Sequence, residues 1–249
     1  MNGKRALCIC ASERKNGKEE GISRRICEIL EESLAGKRIS AKTIDLLKAS
    51  LTPCDGCGRC AAERRCAKDG DFNRIYDQLW EADYLFFVSP HHAPIPARVC
   101  MLLEKMGRLA DLHRQSGQSC PPGLFGEPKP PRPTQTGRRP EPSCRQGPCR
   151  KLAGIISHAE GGERKLIICK AMVNDTIANA LENMGFKVVP FNSQWNTGIS
   201  FGAAGRSREE ERPCAGFPSP EYDWEQIAEK TGMYVEIMVQ TSRTLYAIL

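Results

Sequence analysis

Apolar residues along this chain recur at strand and helix spacings in turn. Arg5–Ala11 (RALCICA) is a short apolar run that predicts a central strand, and Ile39–Leu46 (ISAKTIDL) alternates apolar with polar residues as a second. Tyr84–Val88 (YLFFV) is apolar throughout and predicts a third strand covered on both faces. Leu152–Ser157 (LAGIIS) and Lys187–Phe191 (KVVPF) supply a fourth and a fifth. Between them the period becomes helical. Ser23–Ala35 places Ile26, Ile29, Leu30 and Leu34 on one face and meets Gly36 as a stop. Phe72–Glu81 carries Phe72, Ile75, Tyr76, Leu79 and Trp80 as its apolar stripe. Pro96–Ala110 opens on a proline suited to a first turn, Glu163–Met184 ends at Gly185, and a helix from Asp223 to about Leu249 closes the chain.

Strands that alternate with helices predict an α/β fold, a doubly wound five-stranded parallel sheet in the flavodoxin-like order 2-1-3-4-5. One domain spans residues 1–249. His113–Lys151 interrupts it before strand four, with nine of the 17 prolines and five glycines. Such a segment buries little and forms neither helix nor central strand, so it reads as a long insertion.

Composition narrows the function. The net charge of +6 is uneven, because Glu127–Lys151 holds seven basic and two acidic residues and so contributes 7 − 2 = +5. That excess lies in a stretch without aromatics and is read as a solvated loop, which argues against nucleic-acid binding. No apolar run approaches the roughly 18 residues of a membrane span, and Arg5–Ala11 is too short for a secretory signal. A cytoplasmic protein is expected. Its 13 cysteines are then not a disulfide framework. Cys8, Cys10, Cys27, Cys100 and Cys169 read as small buried hydrophobes, and Cys120, Cys144 and Cys149 as incidental exposed thiols.

In a sheet of this order ligands bind beyond the carboxyl ends of the strands, at the switch point between strands one and three. The loop after strand one offers Ser12, Arg14, Lys15, Asn16 and Gly17 before a helix with Ser23 as N-cap. Hydroxyl, cations and backbone N–H groups at a helix start make a phosphate cradle, or an ordinary polar connection. The dinucleotide pattern G-x-G-x-x-G is absent. The loop after strand three reads Ser89-Pro90-His91-His92-Ala93-Pro94-Ile95-Pro96. Its stiffness, with the small Ala93 and the rings of His91 and His92, suits a flat flavin, although loop histidines without a ligand give the same pattern. His158 and Gly161, after strand four, complete the edge.

The densest chemistry is Cys54-x2-Cys57-x2-Cys60-x5-Cys66. Three thiolates at this spacing wrap one side of a cubane and Cys66 returns to complete it, while Gly56 and Gly58 permit the positive φ of such a wrap. Structural zinc usually takes two separated pairs instead. A [4Fe–4S] cluster, a zinc ion and a metal-free cysteine loop all remain open from the residues alone.

Taken together, the loop at Ser12–Gly17, the cysteine run, the Ser89-Pro90 loop and the helix after it resemble the iron–sulfur flavoproteins. These form a branch of the NADPH-dependent FMN reductase-like proteins. The resemblance covers roughly residues 4–112 and more weakly 151–249. It implies FMN held by the three loops, a [4Fe–4S] cluster on Cys54, Cys57, Cys60 and Cys66, and electron transfer to a redox protein such as ferredoxin. It also implies a homo-oligomer, dimer or tetramer, that brings cluster and flavin together across subunits. Two other functions fit the residues: an NAD(P)H-dependent FMN or quinone reductase with structural cysteines, and a non-catalytic subunit of a larger redox complex.

Overall fold

The computed structural model describes residues 3–12, 21–92, 94–115, 151–159, 163–203 and 222–247. The strands are β1 (Arg5–Cys10), β2 (Ser40–Asp45), β3 (Tyr84–Pro90), β4 (Leu152–Ala159), β5 (Lys187–Val188) and β6 (Ile199–Gly202). The helices are α1 (Ile22–Gly36), the short α2 (Cys60–Glu63), α3 (Gly70–Glu81), α4 (Ala97–Gln115), α5 (Glu163–Cys169), α6 (Asp175–Asn183) and α7 (Trp224–Ala247). All strand pairs are parallel, in the order β2-β1-β3-β4-β5, with β6 also paired to β4. The flavodoxin-like sheet expected from the pattern is present.

Successive side chains of each central strand point to opposite faces, and both faces are covered. Leu7, Ile9, Leu85, Phe87 and Ile155 pack on one side with residues of α3, α4 and α6, among them Phe72, Leu102, Met106 and Ile177. Cys8, Cys10, Phe86, Val88 and Ile156 pack on the other with Ile26, Leu30 and Leu34 of α1 and Tyr234 and Met238 of α7. Each such aliphatic or aromatic side chain contributes about 1.5–3 kcal/mol when fully buried. Cys8, Cys10, Cys27 and Cys169 are among the buried residues, as expected, whereas Cys100 is exposed on α4. Among the described residues no helix is long and apolar enough to cross a membrane.

Several expectations need correcting. The fifth strand is split. β5 pairs only Lys187 and Val188 with β4, and after one more bond, from Val189 N to Ala153 O (2.9 Å), the chain leaves the sheet. Pro190 follows and has no N–H to continue the ladder. The position beside β4 is refilled from Ile156 onward by β6, a four-residue strand too short to stand out in the pattern. Gly198 makes that return possible, because its φ is +119° and a Cβ there would lie 2.1 Å from Ile155 O. The helix expected over 163–184 contains a turn of π-helix at Lys170–Asn174.

The proline-rich segment is also shorter than its sequence suggested. α4 extends to Gln115 and so includes His113. Lys151, counted with the basic insertion, is buried; its Nζ donates to the carbonyls of Leu79 (3.0 Å), Trp80 and Ala82 (2.8 Å). These are the last carbonyls of α3 and the residue after it, where a cation satisfies acceptors that the helix leaves open. Cys120, Cys144 and Cys149 lie outside the described residues.

Gly198→Ala is expected to destabilise the protein by at least about 2 kcal/mol, through left-handed strain and the clash with β4. Urea unfolding measures this; an unchanged midpoint would mean that β6 is not held against Ile155.

Candidate functional site

Hydrogen bonds continue past the strand ends and draw the three edge loops together. Ala11 N donates to Val88 O (2.9 Å), and His91 N donates to His158 O (2.8 Å). Ser12, Pro90 and His91 are half-buried at this edge and His92 is exposed. Ile95 is turned into the core with Val99 and Leu102 instead of lining the edge. Arg14, Lys15, Asn16, Gly17, Ala93 and Gly161 lie outside the described residues.

Ser23 and His158 take a different role from the one expected of them. The N-cap of α1 is Gly21, not Ser23, and it has no side-chain cap bond. Ser23 sits inside the first turn, buried, and its Oγ shares a 2.7 Å hydrogen bond with His158 Nε2. The Tyr222 hydroxyl stands 3.4 Å from His158 Nδ1. Burial pushes the His158 pKa down to about 3, so the ring is neutral at ordinary pH. These residues fasten α1, β4 and the segment before α7 beneath the edge.

The start of α1 suits an anion. Its first turn holds no acidic residue and, among the described residues, no side-chain cap. The N–H groups of Arg24 and Arg25 already donate to Gly21 O (2.8 and 3.2 Å), so the ones left to an anion are those of Ile22 and Ser23. Arg24 and Arg25 lie in this turn, where the helix dipole alone disfavours cations. Arg24 pairs with Glu28 (3.0 Å), and the Arg25 guanidinium lies 3.9 Å from the Trp224 ring centroid. This donor set fits the phosphate of FMN.

Cys54, Cys57, Cys60 and Cys66 all line one cavity of about 300 Å³, with Thr52, Lys68, Phe72, Lys105, Arg108 and Leu109 among its other walls. Gly56 and Gly58 have φ of +68° and +72°, as the wrap of the loop requires. Among the described residues no group of three or more His, Cys, Asp or Glu is grouped closely enough to hold a metal ion. Four soft thiols from one loop thus line one cavity without being gathered around a single point.

Sequence reasoning missed what holds this loop. Asp69 is buried, and its carboxylate accepts from Thr52 N (3.0 Å), Thr52 Oγ1 (3.2 Å) and Phe72 N (2.8 Å). It thereby ties the start of the loop to its end and caps α3. Lys105 of α4, also buried, pairs with Asp69 and donates to Thr52 Oγ1 (3.1 Å). Burial alone would push the Asp69 carboxyl up. The Lys105 ammonium and the N–H groups of Thr52 and Phe72 outweigh it and hold the carboxyl below its usual value. The signal was present in the sequence as a lysine on the apolar stripe of Leu102, Met106 and Leu109. Nearer the surface, Cys66 N donates to Asn73 Oδ1 (2.9 Å), Asn73 Nδ2 returns a bond to Cys66 O (2.8 Å), and Lys68 pairs with Asp55.

The model of the family described as NADPH-dependent FMN reductase matches residues 5–118, from β1 through α4. Among solved structures, the chain is similar to RosB with the bound intermediate 8-demethyl-8-formylriboflavin-5'-phosphate. The identity is 14% and the TM-score 0.60, over 98% of this chain and 81% of that one. It is also similar to the NAD(P)H:quinone oxidoreductase from Methanothermobacter marburgensis, at 13% identity and a TM-score of 0.51, over 98% of this chain and 100% of that one. At these identities the likeness is one of fold. No curated protein matches the sequence.

Lys105→Met leaves the Asp69 carboxylate buried and unpaired, and a loss of about 3–5 kcal/mol is expected. Asp69→Asn combined with Lys105→Met should recover most of it in urea unfolding; a single variant that costs under about 1 kcal/mol would contradict the lock. His158 gives a pH dependence. Its folded pKa lies below the unfolded value of 6.5, so its contribution is complete above that pH and declines towards pH 3. Between these limits the decline approaches about 1.4 kcal/mol per pH unit. Unfolding free energies at several pH values should fall less steeply in His158→Gln than in the wild type.

Proposed function

We propose that this protein is an FMN-dependent oxidoreductase in which Cys54, Cys57, Cys60 and Cys66 hold a [4Fe–4S] cluster. Electrons would pass between flavin, cluster and a redox protein partner such as ferredoxin. The observation that carries the reading is the convergence of all four cysteines on one cavity against α4. That helix begins just after the loop that follows β3, at the flavin edge of the sheet. When bound, flavin supplies two-electron and one-electron redox chemistry, and the cluster one-electron chemistry.

The residues have separable tasks. The uncapped start of α1 would receive the FMN phosphate, and Pro90, His91 and His92 would border the ring. Ser23 and neutral His158 hold α1 against β4, so that both sides of the edge keep their spacing. Asp69 and Lys105 hold the cysteine loop to α3 and α4. Lys105 lies eight residues after Ala97, about 12 Å along the helix axis, so one rigid element spans both regions. The family model over residues 5–118 supports the flavin part of the reading. RosB binds a modified flavin phosphate on a similar fold, in agreement with it. A homo-oligomer in the cytoplasm belongs to the same proposal.

One observation favours a second reading, an NAD(P)H-dependent FMN or quinone reductase with structural cysteines. The four thiols share a cavity without being gathered at metal-binding separation. Anaerobic purification with flavin, iron and sulfide assays decides between the two. The proposal expects bound FMN with about four iron and four sulfide per chain, and Cys57→Ser should lose the iron while retaining the flavin. Iron-free protein whose bound flavin is reduced by NAD(P)H would establish the second reading instead.

A further inference from the structure

We propose that His158 and Tyr222 form a hydrogen-bond relay that aims the Ser23 hydroxyl at an anion bound to the start of α1, the imidazole changing tautomer as the anion binds. The inference rests on the phosphate-binding role given above to that helix start.

Each ring nitrogen of His158 faces a hydroxyl. Ser23 Oγ lies 2.7 Å from Nε2, and the Tyr222 hydroxyl 3.4 Å from Nδ1. A carboxylate or carbonyl beside one nitrogen would fix the proton there, because such groups only accept. A hydroxyl both donates and accepts, so this pair leaves two arrangements open to the ring. All three side chains are buried, and burial keeps the ring neutral. Trp224 lies against Tyr222 (ring centroids 5.7 Å) and carries the Arg25 guanidinium over its own ring, which covers the relay on that side.

Ser23 connects the relay to the helix start. Its N–H is one of the two left open in the first turn, and an oxygen that accepts from it lies within reach of the hydroxyl on the same residue. Without an anion, Ser23 donates to Nε2 and Nδ1–H donates to the Tyr222 oxygen. A phosphate oxygen only accepts, and so draws the Ser23 O–H to itself. The 2.7 Å contact still needs one proton between its two atoms, so Nε2–H then donates to Ser23 Oγ and the Tyr222 hydroxyl donates to Nδ1. One proton leaves Nδ1 and one joins Nε2. The ring stays neutral and no bond between heavy atoms changes.

Magnetic resonance of the imidazole nitrogens reads the tautomer directly. Full-length protein, isotope-labelled in its histidines and backbone amides, is compared free of flavin and with inorganic phosphate, FMN or riboflavin. The His158 signal is the one absent from His158→Gln. The proton is expected on Nδ1 in the flavin-free and riboflavin samples, and on Nε2 with phosphate or FMN. Tyr222→Phe cannot donate to Nδ1, and is expected to raise the FMN dissociation constant about tenfold while leaving that of riboflavin unchanged. A merely structural role would weaken both flavins alike and move no proton. The inference is overturned if the tautomer stays the same while the Ile22 and Ser23 amide signals shift with FMN, or if Tyr222→Phe weakens both flavins equally. Ile22 and Ser23 amides that respond to neither phosphate nor FMN are a different failure, and remove the phosphate-binding role together with this inference.

Discussion

A parallel sheet with helices on both faces leaves little room for polar chemistry inside it. Every residue of β4 is buried, and β1 and β3 are buried apart from Arg5 and Pro90 at their ends. Ligand-binding groups therefore gather at the carboxyl edge or on segments added outside the sheet. The edge is well defined because the ladder extends past β1, β3 and β4 through the bonds of Ala11 and His91. Its buried polar contacts, Ser23 with His158 and Ser157 with Ser200, are paired with each other. Each would be costly to leave unsatisfied in this setting.

The cysteine loop is such an added segment. Apart from partly buried Leu51, Cys60 and Cys66 it brings little to the core, so packing alone cannot hold it. Its exposed ion pairs, Arg65 with Asp77 and Lys68 with Asp55, are solvated and contribute little to stability. The buried pair of Asp69 and Lys105 is of another kind. Removing either partner strands a charge, and Asp69 also receives backbone donors from both ends of the loop. The loop is consequently held with the register between α3 and α4 that places all four thiols on one cavity.

This arrangement gives α4 a double task. Val99, Leu102 and Met106 bind it to the sheet, while Lys105 and Arg108 belong to the cysteine cavity. A change at exposed Arg108 therefore bears on the cavity without disturbing the core, whereas Lys105 is buried and its loss also releases the loop. A change on its inner face alters both.

From the chain's pattern alone came the order of the main elements, the parallel sheet and the cysteine run. Each depends on residues near one another in sequence, whose periodicity or spacing is a local property. The positive φ of Gly56 and Gly58 was local as well, whereas the start of α1 falls at Gly21 and not at the Ser23 cap that the sequence suggested. β6 escaped because four residues carry too little periodicity, and the split of the fifth strand depends on how Gly198 fits against Ile155. Ser23 and His158 were visible as edge residues, but their partnership joins positions 135 residues apart. Lys105 and Asp69 are 36 apart, and Lys151 reaches back about 70 residues to the carbonyls of α3. Such contacts leave no local signature, because a buried charge finds its partner only when distant elements pack together. Packing therefore decided which polar residues brace the scaffold and which remain available to a ligand.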